Sequence, residues 1–355
     1  MSNILEELIY LDNAATTRID NRVLEGMMPY FLDLFGNASS THKLGEQSKK
    51  AIETSREKIS TALNCDSSEI IFTSGSTESI NLAIKGFVES NTHKGNHIIT
   101  ATTEHKAVLE TLRYLETKGI EVTYLEVDSD GLISLEELNQ SIKDTTLMIA
   151  IMYVNNETGV IQDIGKIGEI AKQRGICFFT DATQAIGKIE VDVNALNVDM
   201  LCFSGHKING PKGIGVLFKR DGIELTPQIH GGSQEYGLRA GTHNSPLIVG
   251  IGIAVEIAFE EIVNNFSKYI NLREDILEYF IKNNIGKMAF NRDKTVPNII
   301  SIELNNLDAD EFLMLNSSKF YASTGSACNS GLQISSHVIK AIFKNKEKQI
   351  IRISI

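Results

Sequence analysis

The chain has 355 residues, a length that favours one large and one smaller domain, since domains hold roughly 100–200 residues. Its 45 acidic and 34 basic residues give a net charge of -11, which argues against direct binding to nucleic acid or anionic lipid. No apolar run reaches the roughly 20 residues that cross a bilayer and residues 1–4 lack a signal-peptide pattern, so we expect a cytoplasmic protein without membrane contact.

Short β-rich runs alternate with helical segments from about residue 70 to residue 220. The strand candidates are 70–73, 97–100, 122–125, 147–150, 177–180 and 214–217. This alternation predicts an α/β fold with a mostly parallel sheet. Ligands of such sheets bind outside the carboxyl ends of the strands, so the polar residues that follow these runs are candidates for a site.

The C-terminal third of the chain has a different pattern. A stretch rich in glycine and polar residues at 231–244 precedes a long helical pattern from about 246 to 264. Two further strand candidates follow, at 298–302 and 350–353. A second domain is expected to begin in or after the long helix.

The four cysteines are scattered and form no CxxC pair, so we predict neither a metal site nor a disulfide framework. Cys177 and Cys202 lie in apolar runs and are interpreted as small buried hydrophobic residues. Cys328 lies among small polar residues at 323–331, where a thiol would be accessible to react. The alternative is a loop cysteine without a role.

Lys207 directly follows an apolar strand, within a segment that also holds hydroxyl, imidazole and glycine residues. Burial among strand ends lowers an amine's pKa, and a neutral lysine can form a Schiff base with an aldehyde. Asp181 ends another apolar run, and a carboxylate there could pair with a pyridinium nitrogen. The alternatives are a solvated loop lysine and a helix N-cap.

Three further candidates follow strands or lie near the chain end. Between 73 and 78 a strand becomes a helix through Gly75, where free N–H groups could hold a phosphate, although Ser76 or Thr77 could instead simply cap the helix. His105 follows the strand near residue 100 and could stack on a ring or move protons. Arg352 offers a fork for a carboxylate, with a surface arginine as the alternative.

Together these motifs resemble the cysteine desulfurases of the nitrogen-fixation and iron–sulfur-cluster (NifS and IscS) type, within the class V aminotransferase group of fold-type I pyridoxal-phosphate enzymes. The matching segments are 10–17, 35–37, 73–78, 104–105, 155–159, 181–184, 204–207, 239–242 and 325–328. The resemblance implies a large domain at 16–262 with a mostly parallel seven-stranded sheet. It also implies a smaller α+β domain formed by 1–15 and 263–355, which carries the cysteine loop.

The resemblance further implies roles for individual residues. Lys207 is expected to form the Schiff base with pyridoxal 5'-phosphate, His105 to stack on the ring, Asp181 to contact the pyridine nitrogen and Gln184 the phenolic oxygen. The expected phosphate contacts are Gly75, Ser76, Thr77, Ser204 and His206, with Thr242 reaching the phosphate of the neighbouring subunit in a homodimer. The expected substrate-binding residues are Asn37, Asn156 and Arg352.

The implied reaction converts L-cysteine to L-alanine and leaves a persulfide on Cys328, which passes to an acceptor protein. That acceptor could be an iron–sulfur scaffold, a tRNA-thiolation relay or a DNA phosphorothioation system. Alternatives are another class V enzyme, such as an aminotransferase or a selenocysteine lyase, or a weakly active scaffold that binds sulfur acceptors. The scaffold alternative arises because the sequence ends at Ile355, before the family's closing helices; a second departure is Ala38, where the family has proline.

Overall fold

The computed structural model describes residues 8–324, 336–343 and 349–355. The helices in these ranges are α1 Asn21–Leu32, α2 Lys43–Leu63, α3 Ser76–Asn91, α4 Lys106–Glu116, α5 Leu135–Ser141, α6 Ile164–Arg174, α7 Ser245–Glu260, α8 Ile262–Lys282, α9 Ala309–Asn316 and α10 His337–Ile342. The strands are β1 Ile9–Tyr10, β2 Ile70–Thr73, β3 His97–Ala101, β4 Glu121–Leu125, β5 Thr146–Ala150, β6 Cys177–Asp181, β7 Met200–Ser204, β8 Gly215–Lys219, β9 Gly286–Met288, β10 Ile299–Leu304, β11 Phe320–Tyr321 and β12 Ile350–Ser354.

A seven-stranded sheet forms the centre of the molecule, in the order β2-β8-β7-β6-β5-β3-β4. The pairs from β7 through β6, β5 and β3 to β4 are parallel, whereas β8 runs antiparallel to both of its neighbours. The prediction of an α/β fold with a mostly parallel seven-stranded sheet is confirmed. All six strands expected between residues 70 and 220 are present in it.

This sheet is buried on both faces, as parallel sheets require. On one face its apolar side chains pack with those of α3 and α4, for example Ile84 and Leu112. On the other face they pack with α2, α6 and α7, for example Ile59 and Ile251. Cys177 and Cys202 are buried in this core, as the sequence predicted.

Two smaller sheets lie outside the large one: a three-stranded antiparallel sheet, β12-β10-β9, and the parallel pair β1-β11. A separate apolar cluster joins the three-stranded sheet to α8 and α9 through Leu277, Phe280 and Ala309. The predicted strands near 300 and 350 are β10 and β12. The assignment of 1–15 and 263–355 to a second domain stays a prediction.

The long helix predicted from 246 to 264 is instead two helices, α7 and α8. The chain leaves helical geometry at Glu261, where φ is -94° and ψ is 0°. Apolar periodicity continues across this residue, so the sequence pattern carries no sign of the break. Among the described residues, every helix is too short or too polar to cross a bilayer.

Candidate active site

A cavity of about 540 Å³ opens at one edge of the seven-stranded sheet. Its walls are formed by the residues that follow β2, β3, β5, β6 and β7 and by those that precede β8. Strands that run in the same direction bring the residues after them to a common edge. The polar motifs of these separate segments therefore meet in one cavity.

Lys207 ends a single turn of 3-10 helix directly after β7. Its Nζ donates to the carbonyl oxygen of Ala14 at 2.5 Å and to that of Ala15 at 2.7 Å. These two carbonyls belong to the segment that follows β1, so the N-terminal part of the chain reaches the sheet edge and contacts the lysine. The amine is thereby held at the cavity wall by backbone groups.

Asp181 is the last residue of β6 and is only 5% exposed. Its Oδ1 accepts a hydrogen bond from the backbone N–H of Thr183 at 3.0 Å, which orients the carboxyl group at the end of the strand. Gln184, in the same segment, donates from Nε2 to the carbonyl of Ala14 at 3.0 Å. Asp181 lies beside Cys202 of β7, and burial together with this carboxyl raises the pKa of the Cys202 thiol well above its usual value.

His105 precedes α4, and its Nδ1 accepts the backbone N–H of Ala107 at 3.1 Å. Burial lowers the pKa of this imidazole, so the ring is neutral at neutral pH with its proton on Nε2. The adjacent Glu104 is fully buried, and burial raises its pKa well above the usual range. Its Oε1 accepts the backbone N–H of Met152 at 2.8 Å, so this carboxyl group supports the wall behind His105.

The segment between β2 and α3 forms a narrow wall of the cavity. Gly75 has φ +154° and ψ 174°, a conformation that is essentially restricted to glycine. A Cβ atom on Gly215 would lie 2.6 Å from the Gly75 Cα, so the two backbones are in close contact. The side-chain hydroxyl of Ser76 contacts that of Thr183 at 2.7 Å. The first N–H groups of α3, which have no partner within the helix, begin at this wall.

Ser204 and His206 line the same side of the cavity. Burial, reinforced by the charges of Lys207 and Lys212, lowers the pKa of His206 to about 4. The imidazole is therefore neutral at neutral pH and offers one N–H. Its Nδ1 lies 3.2 Å from the hydroxyl of Thr16.

Arg352 of β12 enters the cavity from the three-stranded sheet and is 2% exposed. It forms an ion pair with Asp12 at 2.6 Å and donates to the carbonyl oxygen of Asn156 at 2.9 Å. Its Nε is buried without a hydrogen-bond partner among the described residues. The alternative interpretation of a surface arginine is wrong, because tertiary packing buries the last strand.

The aminotransferase class-V family model matches residues 9–355. The chain belongs to this family. The class depends on pyridoxal phosphate.

Similar proteins match this sequence over nearly its whole length. It is 47% identical to the cysteine desulfurase IscS of Methanosarcina thermophila over 336 residues, 94% of this chain and 83% of that relative. It is 45% identical to the cysteine desulfurase IscS of Neisseria meningitidis serogroup A over 344 residues, 96% of this chain and 84% of that relative. The resemblance to the NifS and IscS type is confirmed.

Solved structures give the same result for the fold. A NifS-like protein superposes with a TM-score of 0.91 at 38% identity, covering 98% of this chain and 93% of that one. SspA in complex with cysteine superposes with a TM-score of 0.87 at 39% identity, covering 98% of each chain.

Most of the predicted site residues of this class-V chain line the cavity. These are Gly75, Ser76, Thr77, His105, Asn156, Asp181, Gln184, Ser204, His206, Lys207 and Arg352. Asn37 and Thr242 are exposed and lie outside the cavity walls of this single chain. Cys328 lies outside the described residues. The roles assigned to all of these residues stay predictions.

Several residues of the cavity were not predicted from the sequence. Glu157 is 2% exposed, burial raises the pKa of its carboxyl, and it accepts a hydrogen bond from the Ser336 hydroxyl. His337 also lines the cavity, with its Nε2 2.9 Å from the Glu104 carbonyl oxygen. Glu157 lies in a motif that matched the family, which was an available signal. The backbone carbonyls of Ala14 and Ala15 give no signal in the sequence, because every residue has such a group.

Proposed function

We propose that this chain is a pyridoxal-phosphate-dependent cysteine desulfurase, which converts L-cysteine to L-alanine and carries the sulfur as a persulfide on Cys328. The observation that carries the proposal is that Lys207 and Asp181 reach one cavity from the neighbouring strands β7 and β6. An amine and a buried carboxyl are the groups that bind the aldehyde and the ring nitrogen of this cofactor. The similarity to cysteine desulfurases supports the choice of reaction.

The residues of the cavity fit pyridoxal phosphate at both of its ends. At one end, Gly75 and the N-terminus of the 16-residue helix α3 leave room and N–H groups for a phosphate. Ser76, Thr77, Ser204 and neutral His206 would add donors there. At the other end, Lys207 would bind the aldehyde and Asp181 the ring nitrogen, with Gln184 on the phenolic oxygen. We therefore infer that pyridoxal phosphate is the resident cofactor.

Residues of the chain would then hold and transfer the protons of the reaction. Pyridoxal phosphate, when bound, supplies a ring that withdraws negative charge from the substrate Cα. Asp181 would hold a proton on the ring nitrogen. Lys207, once its amine is free, would take the Cα proton and return a proton to carbon. The carbonyls of Ala14 and Ala15 already accept hydrogen bonds from that amine, so they would orient it while it acts.

The carboxylate of cysteine would be held by Arg352 and Asn156. Arg352 lines the cavity and is fixed there by Asp12 and by the Asn156 carbonyl. Asn37 is a further candidate contact. A buried arginine whose position is already fixed loses little conformational entropy when it binds the substrate.

Sulfur transfer would be the work of Cys328. Its thiolate attacks the sulfur of the bound cysteine, and an S–S bond forms while the C–S bond breaks. The electron pair of the C–S bond stays with carbon, which takes up a proton and leaves as alanine. His105, neutral and at the cavity wall, is positioned to pass a proton in this step. The persulfide then passes to an acceptor protein.

We further propose that the enzyme is a homodimer in which Thr242 contacts the partner's cofactor phosphate. Residues 16–262 would form the cofactor-binding domain, and 1–15 with 263–355 the smaller one. A persulfide-forming thiol is compatible with a reducing compartment, so we propose that the enzyme acts in the cytoplasm. The acceptor would be a protein of iron–sulfur assembly, tRNA thiolation or DNA phosphorothioation.

The test measures alanine and sulfide released from L-cysteine in the presence of a reductant, after the visible absorbance of the cofactor has been recorded. Wild type is expected to release equal amounts of both, and Lys207→Ala and Cys328→Ser neither. Bound cofactor without cysteine turnover in wild type would reject the desulfurase proposal. Turnover retained by Cys328→Ser would instead indicate another class V reaction.

A further inference from the structure

A buried ion pair lies between α2 and the loop that carries Thr242. Arg56 of α2 is 2% exposed and Glu235 is 4% exposed. Two guanidinium nitrogens of Arg56 contact the two carboxylate oxygens of Glu235, at 2.8 and 3.0 Å. Such bidentate pairs are the strongest and most directional ion pairs in proteins. We call Arg56, Glu235 and His243 the loop clamp.

The carboxylate of Glu235 receives two further contacts. The backbone N–H of Phe72 in β2 donates to it at 2.7 Å, and the Nε2 of His243 lies 2.7 Å from it. Burial on its own would raise the pKa of Glu235, but the bonds from His243 and Arg56 outweigh burial and lower the pKa to about 2. The loop clamp therefore joins α2, the edge strand β2 and two positions of one loop through a single charged group.

That loop, residues 229–243, is called the clamp loop here, and it has a second attachment at the cavity. Arg239 contacts Glu78 of α3 at 2.9 Å, and Glu78 also accepts the backbone N–H of Ser74 at 2.8 Å. Glu78 and Ser74 both line the cavity, at the wall where we propose that the phosphate binds. The clamp loop is therefore fixed beside the phosphate wall of its own chain.

The backbone of the clamp loop adopts an unfavourable conformation at its fixed point. Glu235 has φ +46° and Tyr236 has φ +57°, so two consecutive residues other than glycine are left-handed. The guanidinium of Arg56 lies 5.3 Å from the centre of the Tyr236 ring. Left-handed residues with side chains persist only where surrounding contacts hold them, and such strain is typical of functional segments. The loop clamp supplies those contacts.

The outer edge of the clamp loop, in contrast, is exposed: residues 229–233 and 241–242 face away from the chain. Thr242 lies outside the cavity of its own chain. In a two-fold symmetric dimer each contact occurs twice, so a loop that reaches the cavity of the second copy has its counterpart at its own cavity. A rigid base with an exposed polar edge suits that arrangement.

We propose that the loop clamp is a positioning device, through which Glu235 holds Thr242 in the orientation that completes the phosphate site of a second copy of this chain. The inference rests on the proposed cofactor and dimer. It makes Arg56 and Glu235 positioning residues for a cavity that neither of them touches. The effect of breaking the clamp is therefore expected in the partner subunit.

The first test compares two ligands on the Glu235→Gln protein. The affinity for pyridoxal phosphate is expected to fall about tenfold or more, the size of a lost charge-assisted hydrogen bond. The affinity for pyridoxal, which has no phosphate, is expected to stay unchanged. Equal weakening of both ligands, or of neither, would overturn the proposal.

The second test decides which subunit the clamp serves, using mixed dimers that carry two different affinity tags. A dimer of Glu235→Gln with Lys207→Ala has one site with an intact lysine and an intact loop from the partner. It should bind one equivalent of pyridoxal phosphate tightly. A dimer of wild type with the double variant Lys207→Ala/Glu235→Gln should bind it weakly. The opposite pattern would show that the clamp acts within its own chain, and would sink the proposal.

The matched control is Glu53→Gln. Glu53 also contacts Arg56, at 3.3 Å, but its side chain is 46% exposed and it is not part of the clamp loop. Its cofactor affinity and the hydrogen exchange of residues 229–243 are expected to match wild type, whereas exchange in Glu235→Gln should be faster. If Glu235→Gln does not fold, His243→Ala, at the more exposed end of the clamp, replaces it. A chain that sediments as a monomer would refute the inference, while cysteine turnover tests the proposed activity separately.

Discussion

Two regions of this molecule bury glutamates with opposite electrostatic outcomes. Glu104, behind the cavity wall, accepts a hydrogen bond from one backbone N–H, and burial raises its pKa well above the usual range. Glu235, in the loop clamp, receives four contacts from Arg56, Phe72 and His243, and its pKa falls to about 2. Both carboxyl groups are nearly inaccessible to water.

The difference shows how the chain distributes hydrogen-bond donors. In the loop clamp the donors stabilise a charge, and the charge fixes the path of a loop. At the cavity, burial raises the pKa of Glu104 and of Glu157, which favours the protonated carboxyl groups near the site where a charged ligand would bind. We therefore expect substitutions at the cavity to impair mainly ligand chemistry, and substitutions in the loop clamp to impair stability as well as cofactor affinity.

The largest effect is expected at the cavity, for Asp181→Asn. The amide cannot hold a proton on the ring nitrogen, and kcat for alanine formation should fall by about a hundredfold to ten-thousandfold. The amide oxygen can still accept the Thr183 N–H, so the thermal midpoint should stay close to wild type. A variant with normal kcat at saturating cofactor would contradict the assigned role of Asp181.

In the loop clamp, by contrast, a substitution should lower the free energy of unfolding. Glu235→Leu removes the buried charge partner of Arg56 and leaves only the more exposed Glu53, which is expected to cost about 3–5 kcal/mol of unfolding free energy. Denaturant titration measures this loss. The double variant Arg56→Met/Glu235→Leu should recover part of it, because no unpaired charge remains; losses that simply add would mean that the two side chains are not coupled.

The stability of the clamp should also depend on pH. The folded-state pKa of Glu235, about 2, is below its usual value of 4.5, so the stabilisation is fully present above pH 4.5 and is lost as pH falls toward 2. A shift of this size corresponds to about 3 kcal/mol. Unfolding of wild type and Glu235→Gln across this window should converge at low pH. Parallel curves would assign the acid sensitivity to other groups.

A smaller effect is expected where Arg352 meets the substrate. Lysine keeps the positive charge but loses the fork, so Arg352→Lys should raise KM for cysteine about tenfold to a hundredfold and change kcat less. Steady-state kinetics with cysteine provide the measurement. A fall in kcat of this size with an unchanged KM would show that Arg352 does not bind the substrate carboxylate.

The smallest effect should come from Glu104→Gln. Because the pKa of Glu104 is raised in the folded state, its contribution to stability falls as pH rises above 4.5 toward that raised value. Glutamine keeps an acceptor for the Met152 N–H and removes this loss, so stability at pH 8 should rise by about 1 kcal/mol or less. Thermal unfolding at pH 5 and pH 8 tests this, and a large destabilisation at both would indicate that the carboxyl is charged.

Much of the cavity could be predicted from local sequence. The motifs around Lys207, Asp181 and His105 each follow an apolar strand, and strands that run the same way bring their following residues to one edge. The fold class follows from the same alternation. Polar residues after β-rich runs are a signal contained in a few neighbouring positions, which is why these expectations agree with the observed cavity.

Other features depend on contacts between residues that are far apart in the chain. Arg56 and Glu235 are separated by 179 positions, and neither has a local pattern that distinguishes it from a surface charge. The sequence likewise does not distinguish a surface arginine from a buried one at Arg352, which the packing of β12 buries. The break between α7 and α8 is another such case, since the apolar periodicity runs through it.

The α/β class, the family resemblance and the side chains that follow the strands could be predicted from the sequence alone, because short-range periodicity and ordered motifs carry that information. Three features depend on the folded chain: which charges are buried, in which direction each buried carboxyl group's pKa shifts, and which backbone carbonyls accept hydrogen bonds from Lys207. The physical reason is that a pKa depends on dielectric surroundings and on hydrogen-bond partners, and both are set by segments that come together only in the folded chain.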